Sequence, residues 1–427
     1  MINEERIYSK WLIFIVSIFP IIDLLNGILL DSGSRLPIGS LYRIVLFILL
    51  VGIFLESRML TIQPFGIILI LSVLLLIAIL SIQTVFFNDS FGIFFNDIGT
   101  VIKYLLWLLI AQIFAGLETI LFTKMMIWID IFFTFGMLIP YVLGFGNFTY
   151  ENSGAGYKSF FFATNDLTYA FTILCTLLIF VIISYFDLSN WSGLAAIFVL
   201  YCANIFCLLL IGTKTGIVFS LVSLISTLFY LLFFKSEVPY SIKFLLAQFF
   251  IIGAIFTAFW GKSIFIGMIQ GTIDRLTYFY DLYDGNWIKI LSSSRSIYFE
   301  DAVTNFKLFP GNHWIFLFGF GFSNRWTFFG RQGGYIEMDF LDTFFSLGMI
   351  GLLVFLIPLF YLLYRSVKYH FYNKYLFLVL VTLGFAATSG HVFYSALSST
   401  LFGLVASRLL ISKRIGEENE NTNGWSK

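Results

Sequence analysis

The chain has 427 residues, 59% of them hydrophobic and only 11% charged, and its formal net charge is +1. About a quarter of a soluble domain's residues are charged, so this composition excludes that class and points to a chain embedded in the lipid bilayer. A charge so near zero gives no footprint for nucleic acid. The three cysteines, Cys175, Cys202 and Cys207, lie inside apolar runs and suggest neither a disulfide framework nor a zinc site.

Apolar runs close to the bilayer-spanning length of about 20 residues recur from end to end. They lie near 11–30, 40–55, 63–85, 98–115, 122–144, 162–186, 192–211, 216–234, 243–260, 341–364, 374–389 and 394–411. The expected fold class is an all-α integral membrane protein of about twelve transmembrane helices, with a helical loop domain between spans nine and ten. The first run, from Trp11 to about Leu30, lacks a small-residue cleavage site and reads as a retained helix. Asp23 and Asp130 fall within apolar runs, where a charge costs about 2.5–3.5 kcal/mol, so each is expected near a helix end or paired inside the bundle.

Alternate connections carry the positive charge: Arg6 and Lys10, Arg58, Lys124, Lys235 and Lys243, Arg365 with Lys368 and Lys374, then Lys413 and Arg414. The short loops between them hold Arg35, Lys158 and Lys214. The positive-inside rule then places both termini in the cytoplasm, in a multi-pass protein of the cell membrane. Four segments follow: spans one to nine over 1–260, an extracytoplasmic loop over 261–340, spans ten to twelve over 341–411, and a polar cytoplasmic tail over 412–427. No inverted repeat of the transporter kind stands out.

In chain order, the first external stretch with chemical character is TYENSGAGYKSFFFATND (149–166), with Tyr157, Lys158 and Asn165. It reads as a substrate-facing loop or a plain polar connector. IGTKTG (211–216) sets Lys214 in a glycine-bounded turn between two helices, where a snorkelling anchor is the simplest role. The long loop holds Arg275, Arg295, His313, Arg325 and Arg331. Within it SSSRSIYFEDAV (292–303) predicts a helix from about Arg295, capped by Ser294, in which Arg295 has Glu300 and Asp301 as ordinary partners. LFGFGF (317–322) is a glycine-rich return. EMDFLDTFFSLGMIG (337–351) then crowds Glu337, Asp339 and Asp342 into the first turns of an apolar helix, whose positive end suits carboxylates. Capping accounts for one or two of the three. His391, in SGHVFYSA (389–396), lies between the last two spans.

This order of features resembles the O-antigen ligase and Wzy-type polysaccharide polymerase superfamily. IGTKTG is similar to the family's Gly-Ser-Arg-Thr turn, with Lys214 at the arginine. SSSRSIYFEDAV resembles its loop arginine and aromatic-bearing helix, LFGFGF its glycine-rich return, and EMDFLDTFFSLGMIG its His-Asn-x-x-Leu stretch ahead of Gly-x-x-Gly. Glu337 stands where ligases have histidine. The resemblance implies a metal-independent, inverting glycosyltransferase without a cofactor, acting on undecaprenyl-diphosphate-linked oligosaccharides at the outer face of the membrane.

That chemistry needs cations to hold the departing diphosphate and a base to take the acceptor's proton. Glu337 and then Asp339 are the expected catalytic acids, with His313 next in line. Lys214, Arg295, Lys158, Arg275, Arg325, Arg331, His313 and His391 are the expected diphosphate or glycan contacts. The function implied is a polymerase joining lipid-linked repeat units into capsular, exo- or O-antigen-type polysaccharide. A ligase moving finished glycan to another acceptor is the near alternative. A flippase for the same units is the rival from another class, and a structural or sensory membrane protein is the remaining one. Besides lipid and substrate, a flippase and a chain-length regulator of the same pathway are the partners implied.

Overall fold

A computed structural model describes residues 10–34, 36–56, 64–87, 89–150, 154–184, 191–235, 238–259, 270, 273–274, 276–309, 311–330, 334–369 and 374–411. These residues are helical throughout, apart from turns and two isolated β-bridges. Nine helices among them are long and apolar enough to cross a membrane: Lys10–Asp31, Ile38–Glu56, Pro64–Phe87, Phe91–Phe114, Thr119–Leu143, Thr164–Ser184, Ser192–Ile211, Lys214–Phe234 and Asp339–Lys368. The stretch expected as span nine lies on helix Tyr240–Phe259. Those expected as spans eleven and twelve fold as shorter apolar helices, Lys374–Thr388 and Ala396–Ser407. Arg6, Arg35, Arg58, Arg275, Arg331, Lys413, Arg414 and the polar tail lie outside the described residues.

The chain divides into two compact units. The first comprises residues 1–16, 39–123 and 283–427; the second comprises 17–38 and 124–282.

In the first unit, every residue of Ala396–Ser407 is buried. At 1.5 Å per residue this helix is about 18 Å long, too short to cross a bilayer core of about 30 Å. Small side chains let it sit directly on Phe91–Phe114. A Cβ at Gly403 would lie 2.8 Å from the Trp107 carbonyl, and the Ser399 hydroxyl donates to the Lys103 carbonyl at 2.5 Å. This is the close backbone approach that Gly and Ser permit between apolar helices. The Trp107 and Phe402 rings fill the adjacent space, 4.9 Å apart.

Helix Asp339–Tyr369 is broken at Gly348, whose φ of 71° and ψ of −172° are not helical. A Cβ there would strike the backbone of Leu317 and Phe318, so only glycine fits. The break turns the Phe345 and Ser346 carbonyls outward. They accept the Phe320 and Gly321 N–H groups at 3.0 and 2.8 Å, and Gln83 Nε2 also donates to Ser346 at 2.7 Å. The glycine-rich return is thereby stitched to the end of Asp339–Leu347. Four short helices precede helix Asp339–Tyr369: Trp287–Leu291, Arg295–Leu308, Asn312–Phe318 and Phe322–Phe329. Ala302, Ile336 and Phe345 form their small core, packed with Tyr298, Phe306, Leu341 and Phe344.

In the second unit, Cys175, Leu178, Ile182, Tyr201, Ile205 and Leu231 make the core. Asp130, 1% exposed, accepts from Asn204 Nδ2 at 2.9 Å to both carboxylate oxygens, while Thr134 donates to Asn204 Oδ1 at 2.8 Å. The acid is thus hydrogen-bonded inside the bundle, as its cost in lipid requires. Asp23 is half-buried on Phe19–Asp31.

Candidate functional site

Glu337 does not lie in the first helical turn, where the sequence reading set it. The helix begins at Asp339, and Glu337 precedes it with φ of 63°, a left-handed corner. The Asp342 carboxylate fixes that corner from within. Its Oδ1 accepts the Ile336 N–H at 2.9 Å and its Oδ2 the Met338 N–H at 3.2 Å, so both amides flanking Glu337 are held. Asp342 is balanced by Arg325, whose Nη1 lies 3.0 Å from Oδ1 and donates to the Ser346 hydroxyl at 2.9 Å. The Tyr335 and Phe345 rings cover this guanidinium at 5.8 and 5.6 Å.

A second corner lies at 389–393. Gly390 and His391 have φ of 65° and 61°. A Cβ on Gly390 would collide with the Glu337 carbonyl, so the two corners touch backbone to backbone. Asp339 Oδ2 accepts the Val392 and Phe393 N–H groups at 2.8 and 3.3 Å. Thr343 and Tyr394 share a hydroxyl–hydroxyl bond of 2.7 Å, and the Tyr335 and His391 rings stand 6.0 Å apart. Burial pushes the Tyr335 phenol up, with Arg325 partly opposing.

A third corner introduces Arg295. Its helix starts where expected, but Ser294 has φ of 74° and its side chain does not cap. The Ser294 hydroxyl meets the Tyr283 hydroxyl at 2.6 Å instead. Nor does Arg295 pair with Glu300 or Asp301. Its Nε donates to the Glu337 carbonyl at 3.1 Å, and its Nη2 to Glu337 Oε2 at 2.9 Å and to the Ser389 carbonyl at 3.3 Å. One guanidinium therefore ties the Glu337 corner to the Ser389–His391 corner. Left-handed backbone at non-glycine residues costs about 1–3 kcal/mol each and gathers at functional sites. Among the described residues six positions have it, and Ser293, Ser294, Glu337 and His391 all belong to these three corners.

The match to known proteins falls on this region. Residues 277–415 match the model of the O-antigen ligase like membrane proteins. Over these residues the match supports the family resemblance read from the sequence, and the O-antigen ligase-like stretch contains all three corners. This is a family of membrane enzymes that process glycans. A search among curated proteins finds no match for the chain.

The expected residues divide between the units. Arg295, Glu337, Asp339 and His391 come together in the first, while Lys158 and Lys214 belong to the second. Thr213 caps helix Lys214–Phe229, accepting the Gly216 N–H at 3.1 Å, and its hydroxyl meets that of Thr168 at 3.0 Å. Lys214 stands in the first turn, its Nζ 5.7 Å from the Phe279 ring. The loop bearing Lys158 packs on the C-terminal end of helix Trp191–Ile211, where the Tyr157 N–H donates to the Leu210 carbonyl at 2.7 Å and the Thr149 hydroxyl to that of Ile211 at 2.8 Å. Arg325 is 1% exposed and engaged with Asp342, and His313 is exposed on Asn312–Phe318. Sequence reasoning missed the Arg325–Asp342 clamp and the Ser389 carbonyl. The glycine ahead of His391 was the only local signal for the second corner.

Proposed function

We propose that this protein is a polymerase of lipid-linked glycans, joining oligosaccharide repeat units carried on undecaprenyl diphosphate into capsular, exo- or O-antigen-type polysaccharide. The observation that carries this reading is the Arg295–Glu337 pair at 2.9 Å, a cation and a carboxylate set on strained backbone in the family's own stretch. Glu337 is 44% exposed and Arg295 12%, so the base reaches outward while the guanidinium stays fixed.

The donor's diphosphate competes with Glu337 for Arg295 and releases the carboxylate. Glu337 then takes the proton of the acceptor hydroxyl, whose oxygen attacks the anomeric carbon opposite the diphosphate. The new C–O bond forms as the old one breaks, the electron pair leaves with the diphosphate, and configuration inverts. Arg295 suits the departing charge through bidentate contact. Lys214, on the second unit, is proposed separately as an anion contact. A lysine in the first turn opposes the helix dipole, and that placement is relieved when an anion binds there. Arg325 drops out of the substrate-binding set, since Asp342 already neutralises it. A multi-pass frame, a cytoplasmic N-terminus and an outward-facing site complete the reading, with a flippase and a chain-length regulator as pathway partners.

Deleting the gene and resolving surface polysaccharide by size tests this. Loss of long chains with single repeats retained is the expected result. Complete loss of surface glycan with an internal backlog indicates a flippase. Long lipid-linked chains that never reach their final acceptor indicate a ligase.

A further inference from the structure

Asp339 and Asp342 are buried to 0% and 2% exposure in the first turn of their helix. A carboxylate in a first turn ordinarily serves the helix's own free N–H groups. These two serve other chain. Asp342 reaches back to Ile336 and Met338, either side of Glu337. The Met338 bond resembles a capping box, but the Ile336 bond extends beyond any cap. Asp339 reaches to Val392 and Phe393, immediately after His391. Each buried carboxylate thus collects two backbone amides from one left-handed corner, while Arg295 bridges both corners from the more exposed side.

The two differ in charge compensation. Asp342 is neutralised by Arg325 in a direct ion pair, whereas Asp339 Oδ2 takes the two amides with the His391 side chain as its electrostatic neighbour, and its Oδ1 is buried with no hydrogen-bond partner among the described residues. A neutral amide side chain in place of Asp339 keeps an acceptor oxygen where the two N–H groups point. The same change at Asp342 turns a donor towards the Met338 N–H and strands the Arg325 charge.

We propose that Asp339 and Asp342 are positioning residues, a pair of buried clamps that hold the His391 and Glu337 corners in register, and that neither transfers a proton. The inference rests on the reading of Glu337 as the base. The three neighbouring acids then have separate roles. Glu337 reacts, Asp342 sets where Glu337 stands, and Asp339 sets the opposite wall, including the Ser389 carbonyl that Arg295 engages.

The test is hydrogen–deuterium exchange together with polymer synthesis from purified lipid-linked repeat units, both in lipid nanodiscs. In the wild type and in Asp339→Asn, the amides of 336, 338, 392 and 393 exchange slowly, and Asp339→Asn makes polymer within about fivefold of the wild-type rate. In Asp339→Ala the 392–393 amides exchange fast and turnover falls about 100-fold, the scale on which misplacing a reacting group acts, while donor KM changes little. Because Asp342→Asn leaves a buried cation, the double variant Arg325→Met/Asp342→Asn is used instead. It folds, exchanges fast at 338 and loses turnover in the same way. Asp339→Asn as inactive as Asp339→Ala would make Asp339 a proton carrier and overturn the proposal. So would fast exchange at 392–393 in the wild type, or wild-type turnover from Asp339→Ala. If the wild type makes no polymer, the polymerase reading fails, and the exchange pattern still decides whether the carboxylates hold the corners.

Discussion

Arg295 grips Glu337 at two points, the carboxylate Oε2 at 2.9 Å and the main-chain carbonyl at 3.1 Å. In the proposed mechanism the side-chain contact yields to the donor's diphosphate, whereas the carbonyl contact keeps the guanidinium in place. Lysine cannot reproduce both. Arg295→Lys is therefore expected to lower turnover about 100-fold, the scale of losing one preorganised donor, and Arg295→Ala further. Polymer length and initial rate in reconstituted protein measure this, and wild-type chains from Arg295→Ala remove the residue from the site.

Glu337→Gln keeps size and hydrogen-bonding capacity but accepts no proton. Chain growth stops while the purified protein still retains labelled donor. Glu337→His installs a different base at the same corner. Imidazole works in its neutral form, so activity rises with pH through its pKa, ordinarily about 6.5. The adjacent Arg295 disfavours imidazolium, so the midpoint falls below that value. A flat pH profile in Glu337→His, or full activity in Glu337→Gln, moves the base elsewhere.

Gly390→Ala adds a methyl that meets the Glu337 carbonyl at a position with φ of 65°. The strain alone costs about 1–3 kcal/mol, and its relief requires the two corners to part. Thermal unfolding is expected to shift down by several degrees, with polymer synthesis lost at temperatures where the variant remains folded. Unchanged activity argues that the corners need not touch.

Lys214→Gln tests the second cation by a trade. Removing a positive charge from a helix N-terminus stabilises by about 0.3–1 kcal/mol. With the contact to the Phe279 ring lost as well, the variant is expected to unfold within a few degrees of wild type while its donor KM rises at least tenfold, and Lys214→Arg keeps most function. Loss of stability in Lys214→Gln identifies the lysine as a structural anchor.

The apolar runs were legible because bilayer length imposes them: helices occupy each expected stretch, from Lys10–Asp31 to Ala396–Ser407. What the runs do not encode is depth, so the run at 394–411 reads as a span like the others, whereas Ala396–Ser407 is short, buried and seated on Phe91–Phe114 by its small residues. Arg295 and Glu337 were legible singly, from residue type and family pattern. Their pairing was not, because Glu337 leaves the helical spacing on which the expectation was built. The partners of Asp339 lie more than fifty residues onward, beyond any local rule. Ser294 read as a cap, and its left-handed φ overrode that preference.

The break at Gly348 has a mechanical consequence. Membrane-crossing helices tilt when bilayer thickness changes. Here the hydrogen-bond ladder is diverted at Phe345 and Ser346 into Phe320 and Gly321, so the rod beyond Gly348 is not continuous with the turn carrying Asp339 and Asp342. A tilt of the rod beyond Gly348 is then not transmitted through a continuous hydrogen-bond ladder. The Glu337 corner sits on the short segment on the other side of that joint.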